Sequence, residues 1–190
     1  MISRIIAVLA CLALLPVLYS PTLRFFYQQW IAVQLAKVRH PNLVVIGDSI
    51  AAGGAGYGRI DTINLASNGL EAHQIARAIA RAKLYRPTRI LADGGVNDVV
   101  EGHLDPVELR KAWRTMCAEP NVIAALPTPT RSQKLNSQLA TVRAIIVSEC
   151  RHTVDAPELA GPDGLLKPEY SLDGVHLTER AYRFWVAALR

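Results

Sequence analysis

Residues 43–49 read Leu-Val-Val-Ile-Gly-Asp-Ser. Four consecutive apolar residues leave no polar face, the mark of a strand covered on both sides rather than one lying at a surface. The run stops at Gly47, and an acid and a hydroxyl follow at once. Such a junction, a buried strand delivering polar side chains at its carboxyl end, is where open parallel sheets collect functional groups.

The same grammar repeats downstream. Residues 61–65, 88–92, 122–126 and the short pair 153–154 read as four more strands. Helical periodicity fills the intervals. Ala72, Ile75, Ala76 and Ile79 share one face, and Leu135, Leu139, Val142, Ile145 and Ile146 form one stripe of a long helix over 132–149. A helix over 106–117 opens on Asp105 as cap with Pro106 at its first position. Asn68, with Glu71 three residues on, is a near match to a capping box. Thr178 caps a last helix to Leu189, after a loop over 156–172 that holds Pro157, Pro162, Gly164 and Pro168. This alternation predicts an α/β fold, a mostly parallel five-stranded sheet with helices on both faces.

A chain of 190 residues suits one domain with a sizeable core. Its 51% apolar and 19% charged content excludes a disordered chain, and no period of about 20 to 50 residues points to a solenoid. The net charge of +5 is an N-terminal property. Residues 1–40 carry Arg4, Arg24, Lys37 and Arg39 and no acid, whereas the rest holds 17 Lys and Arg against 16 Asp and Glu. The folded part therefore shows no basic excess of the kind that binds nucleic acid.

The expected organisation is an N-terminal signal or anchor segment with its linker over 1–40 and one domain over 41–190. Residues 5–19 are apolar and follow Arg4, but 15 residues fall short of the about 20 that span a bilayer. A signal peptide would need a small-x-small cleavage site, and none is clear near Ser20. An uncleaved anchor would borrow the apolar stretch 25–36 beyond Pro21. A buried N-terminal helix is the third arrangement. An N-terminal apolar helix holding an exported domain at a membrane is the expectation carried forward. In an oxidising compartment Cys117 and Cys150, each ending a helix that leads into a strand, could pair; the alternative is two separate buried thiols.

Four short blocks carry the chemistry: Gly47-Asp48-Ser49, residues 64–69 (Asn-Leu-Ala-Ser-Asn-Gly), Gly95-Val96-Asn97-Asp98 and Asp173-Gly174-Val175-His176. The first three follow the first three strands, and the fourth precedes the last helix. One pocket could hold them all. A serine hydroxyl is a weak nucleophile and needs a base. His176 could take the Ser49 proton and return it to the leaving group. Asp173, three residues earlier, could reach the far ring nitrogen of His176 and fix its tautomer. The backbone N–H groups of Ser49 and Gly69 and the side-chain amide of Asn97 are the candidate oxyanion donors, Gly69 being placed at a helix start and lacking a Cβ. Any one block alone is a turn or a loop. Their joint occurrence in this order is the signal.

On these residues, the chain over 41–190 resembles the SGNH (GDSL-type) hydrolase family. The family's Ser, Gly, Asn and His match Ser49, Gly69, Asn97 and His176, and its acid matches Asp173. Two positions depart from the family pattern: Ile50 stands where leucine is usual, and Ala66 where glycine is common. The resemblance implies a flavodoxin-like three-layer α/β/α sandwich and an esterase acting through an acyl-enzyme on a small-molecule or saccharide ester, with no cofactor. The short loops 99–104 and 128–134 favour acetyl or other short acyl groups. An O-acyltransferase passing the acyl group to a sugar hydroxyl would use the same site, and a non-catalytic binding protein could use the same fold.

Other residues are read more plainly. Asp48 would orient the Ser49 loop. Residues 53–58 are glycine-rich but lack a phosphate-cradle pattern and read as a rim beside Ser49. Asp98, Glu101, His103 and Asp105 match no metal-ligand spacing and read as a solvated loop. Asp93 is an acid late in a buried strand, expected to be hydrogen-bonded. His73 and His152 show no partner in sequence. Tyr170 and Ser171 are expected to line the pocket.

Overall fold

A computed structural model describes residues 40–54 and 62–188, together with helical positions at Tyr27, Trp30, Ile31, Val33 and Gln34. The apolar segment 5–19 and most of the glycine-rich rim lie outside the described residues. Among the described residues, no helix is long and apolar enough to cross a membrane.

Five strands, β1 (Leu43–Ile46), β2 (Thr62–Asn64), β3 (Arg89–Ala92), β4 (Val122–Ala125) and β5 (Thr153–Val154), form one sheet in the order β2-β1-β3-β4-β5, and every pairing is parallel. Over residues 40–188 the described helices are α1 (Ser49–Gly53), α2 (Ala72–Lys83), α3 (Val96–Val100), α4 (Pro106–Cys117), α5 (Gln133–Glu149) and α6 (Glu179–Ala188). The all-parallel order explains the unbroken apolar runs, because both faces of β1, β3 and β4 are covered. Val44, Ile46, Ile90 and Ala92 point into one core with α2, α4 and α5, where Trp113 and Met116 are fully buried. Val45 and Leu91 point into the other, with Ile50 of α1 and Ala181 and Trp185 of α6. This is the three-layer α/β/α arrangement expected from the sequence.

The second layer holds less helix than the first, and the loop after β5 makes up the difference. Two 3-10 turns, Pro157–Leu159 and Pro168–Tyr170, give Leu159, Leu166 and Tyr170 to that core. Tyr170 is therefore a packing residue, 6% exposed with its ring tilted against Phe184 at 5.4 Å, and not a pocket-lining one. The loop is pinned to the segment between β4 and α5 by the Leu166 N–H on the Thr130 carbonyl at 3.0 Å and the Arg131 guanidinium on the Leu166 carbonyl at 3.0 Å.

At the opposite edge of the sheet from Ser49, Cys117 and Cys150 form a disulfide with Cα atoms 5.1 Å apart. It joins the C-terminal ends of α4 and α5, which lead into the neighbouring strands β4 and β5. Glu149 accepts from both Arg110 (2.6 Å) and Arg114 (2.9 Å) beside it, and these guanidiniums hold its carboxyl below the ordinary range. The bridge closes 33 residues of chain. Reducing it should destabilise the domain by about 3 to 4 kcal/mol in the chain-entropy model. Denaturant unfolding of the wild type against a Cys117→Ala/Cys150→Ala variant measures this, and equal midpoints would contradict it.

Candidate active site

The site begins where the sheet order reverses. β2 and β3 flank β1 on opposite sides, and loops leaving a switch point diverge and open a crevice at the strand carboxyl ends. Ser49 leaves β1 and Asn97 leaves β3, so both line that crevice.

Gly47 makes the turn out of β1 possible. A Cβ there would lie 2.7 Å from the Asp93 carbonyl oxygen and 2.7 Å from the Ala51 Cβ, closer than atoms pack. Asp48 follows as the N-cap of α1, its Oδ1 accepting from the Ile50 N–H at 2.9 Å. This is the orienting role expected of it, and it sets Ser49 at the first helical position. Asn64 ties the next block to the same helix: its amide donates to the Ala51 carbonyl at 2.9 Å and its oxygen accepts from the Ala66 N–H at 2.8 Å. The sequence showed Asn64 as the head of its block but not this brace.

The Ser49 hydroxyl stands 3.0 Å from His176 Nε2, and His176 Nδ1 stands 2.7 Å from Asp173 Oδ2. The other Asp173 oxygen accepts from the N–H groups of His176 (2.8 Å) and Val175 (3.0 Å). The backbone bond from His176, then its imidazole, then Val175 hold the Asp173 carboxyl down to about 2. It stays ionised across the neutral range, ready to orient the ring.

The Asp-x-x-His turn is itself braced. Ser171 pairs with Leu177, the Leu172 N–H donates to the His176 carbonyl at 2.9 Å, and the Gly174 N–H donates to the Ser171 hydroxyl at 2.7 Å. The Gly174 carbonyl accepts from the Arg131 N–H at 2.8 Å. Ser171 thus shapes the turn that presents His176 instead of simply lining a pocket. Arg131 was not singled out from sequence, since its contact joins segments far apart in the chain.

The oxyanion donors need one correction. α2 begins at Ala72 with Glu71 as N-cap, in a reciprocal capping box with Gln74. Asn68 caps nothing, and Gly69 lies in the turn before the helix rather than at its first residue. The reason Gly69 must be glycine is its φ of +75°, strained for any side chain. A Cβ there would meet nothing within 4 Å, so the space beside Gly69 is open. Asn97, in the first turn of α3, donates through Nδ2 to the Leu70 carbonyl at 3.0 Å, which fixes the amide beside Gly69 and leaves its second N–H available.

The remaining candidates are structural. Asp98 is buried and accepts from the Ala72 N–H at 3.0 Å, while Asp105 caps α4 through the Val107 and Glu108 N–H groups. His103 and His73 lie 2.7 and 3.4 Å from Glu71, a partner that the sequence did not reveal. A groove of about 650 Å³ runs between α2 and α4 past these residues, but neither Ser49 nor His176 lines it. The Asp173 and His176 side chains sit on an open face, 56% and 42% exposed.

No protein-family model and no curated protein matches this chain. Solved structures do. A GDSL-like lipase of Bacteroides thetaiotaomicron, 20% identical, superposes with a TM-score of 0.67 over 87% of this chain and 96% of its own. The chain has the SGNH (GDSL-type) hydrolase fold. A member of the lipolytic G-D-S-L family from Veillonella parvula (16% identity, TM-score 0.60, 77% of this chain and 94% of that one) shares it. So does a carbohydrate esterase family 3 protein from Talaromyces cellulolyticus (18% identity, TM-score 0.60, 77% and 93%). The SGNH fold accounts for the sheet order and for the meeting of four distant blocks at one crevice.

Proposed function

We propose that the chain is a serine ester hydrolase of the SGNH type acting on a short-acyl ester. The observation that carries this is the relay in which His176 bridges the Ser49 hydroxyl and the Asp173 carboxylate. Ser49 attacks the ester carbonyl while His176 Nε2 takes its proton. The charge on the tetrahedral oxygen falls to the N–H groups of Ser49 and Gly69 and to the Asn97 amide. Collapse expels the alcohol with the proton from His176, and water, activated by the same imidazole, releases the acid from acylated Ser49.

Short-chain preference follows from the exposure of His176 and Asp173, which leaves little enclosed surface for a long acyl tail. Initial rates of the full chain on a nitrophenyl ester series test this; a preference for long chains would refute it. The exposed imidazole also leaves room for an acceptor hydroxyl in place of water, so O-acyl transfer to a sugar is the second reading. Product analysis with and without a sugar acceptor separates the two. Asn97→Ala should raise the barrier by about 2 to 4 kcal/mol, a loss of about 30- to 1,000-fold in kcat, without altering the melting temperature to match.

The domain is further proposed to work outside the cytoplasm, tethered through residues 1–40. Arg4 with the apolar run 5–19 supports this, as does the Cys117–Cys150 bridge, since disulfides persist in oxidising compartments. Recovery of the full-length chain in the soluble cytoplasmic fraction would refute it.

A further inference from the structure

Among the described residues, three buried side-chain polar atoms have no protein partner: Asp48 Oδ2, Asp93 Oδ2 and Trp113 Nε1. The first two belong together. Asp48 and Asp93 follow the ends of adjacent strands, and the Asp93 N–H still donates to the Ile46 carbonyl at 3.1 Å. Both carboxyls address the first turn of α1. Asp48 accepts from the Ile50 N–H, while the N–H groups of Ala51 and Gly94 are directed at Asp93. Of the charged groups around Asp93, Asp48 acts on it most strongly. Neither side chain reaches solvent, with exposures of 0% and 2%. No cation appears among the groups acting on Asp93; those acting on Asp48 are Asp98, which disfavours its charge, and His176, which favours it.

Two buried carboxylates gathered at the first turn of one helix repel, and each leaves an oxygen without a donor. One proton relieves the repulsion, and a carboxyl O–H can donate where a neighbouring carboxylate accepts. We infer that Asp48 and Asp93 hold one proton between them, and that Asp93 is thereby a positioning residue for the N-cap that sets Ser49. The proton comes from solvent on folding and returns there when the pair ionises fully. Burial drives both groups in this direction: it pushes Asp48 up to about 6 and Asp93 well above the carboxylate range. The two steps of titration belong to the pair rather than to either residue.

The consequence has a definite sign. Both folded values are raised, so the folded state holds protons that the unfolded chain has lost. The stability this confers is full below the unfolded carboxylate range and declines as pH rises through the folded values. Above the upper step two buried charges stand together at the first turn of α1, the cap on Ile50 loosens, and Ser49 loses its setting. Asp93→Asn replaces the shared proton with an amide N–H that does not titrate.

The test measures melting temperature against pH for the full chain and for D93N. As pH rises from the unfolded carboxylate range, about pH 4, into the alkaline range, the wild type should lose roughly 5 to 10 °C beyond any loss in D93N. Parallel curves would overturn the inference. The infrared spectrum of the folded wild type near neutral pH should show a protonated carboxyl band that D93N lacks; its absence from the wild type would overturn it independently, whether or not the variant folds. An activity arm rests on the proposed ester hydrolysis: the alkaline limb of kcat/KM, scaled to each protein's own maximum, should move to higher pH in D93N. The melting and infrared arms stand without that reading, so failure of the hydrolase proposal and failure of the shared proton are distinguishable.

Discussion

Ser49→Ala should abolish ester hydrolysis, lowering kcat by about 10⁴- to 10⁶-fold while the protein stays folded. The size follows from the reaction path. Without the hydroxyl no acyl-enzyme forms, and the remaining oxyanion donors can assist only direct attack by water. The fold should be indifferent. Ser49 is only partly buried, and the cap on α1 comes from Asp48, whose bond to the Ile50 N–H does not involve the Ser49 side chain. Circular dichroism and a melting curve establish the fold; ester hydrolysis and labelling by a fluorophosphonate establish the chemistry. A folded Ser49→Ala protein with full activity would end the proposed mechanism, and a wild type that resists the label would favour a binding protein on the same fold.

The parts of this site that were legible in sequence share a physical reason. Strands buried on both faces must be apolar throughout, so β1, β3 and β4 announce themselves, and the first polar residues after them mark the crevice. Ser49 and Asn97 were readable on that basis, and the Asp173–His176 pair from its three-residue spacing in the turn before the last helix. Helix starts were legible only where the cap was local. Asp105 capped α4 as expected, and Ser132, read as the first residue of its helix, instead caps α5; at α2 the turn through Gly69 delays the helix to Ala72 and hands the cap to Glu71. What a sequence hides is contact between distant segments. The irregular loop after β5 reads as surface from its prolines, yet its Leu159, Leu166 and Tyr170 complete a core. Asp93 reads as an oddity because its partner, Asp48, lies at the end of another strand. The Cys117–Cys150 pair was only one of two possibilities until β4 and β5 proved to be neighbours.

His176→Ala should cost nearly as much as loss of Ser49, about 10⁴- to 10⁶-fold in kcat, and the double variant Ser49→Ala/His176→Ala should be no worse than either alone. The two residues act as one unit: the imidazole is useful only as the acceptor of the Ser49 proton, 3.0 Å away, and the hydroxyl is nucleophilic only when that proton can leave. Independent contributions would instead multiply, so additive losses in the double variant would contradict the relay. Asp173 limits how the acid side of the profile is to be read. Its carboxyl, held down to about 2 by the His176 and Val175 N–H groups and the imidazole, stays ionised until strongly acid solution. Loss of activity on mild acidification therefore does not arise from Asp173, and Asp173→Asn should lower the rate without moving that limb toward the pH range of a free carboxylate. Rates for the wild type, both single variants and the double variant on one ester, each followed across pH, decide the matter. A double variant that loses the product of the single factors would mean that His176 and Ser49 serve separate steps.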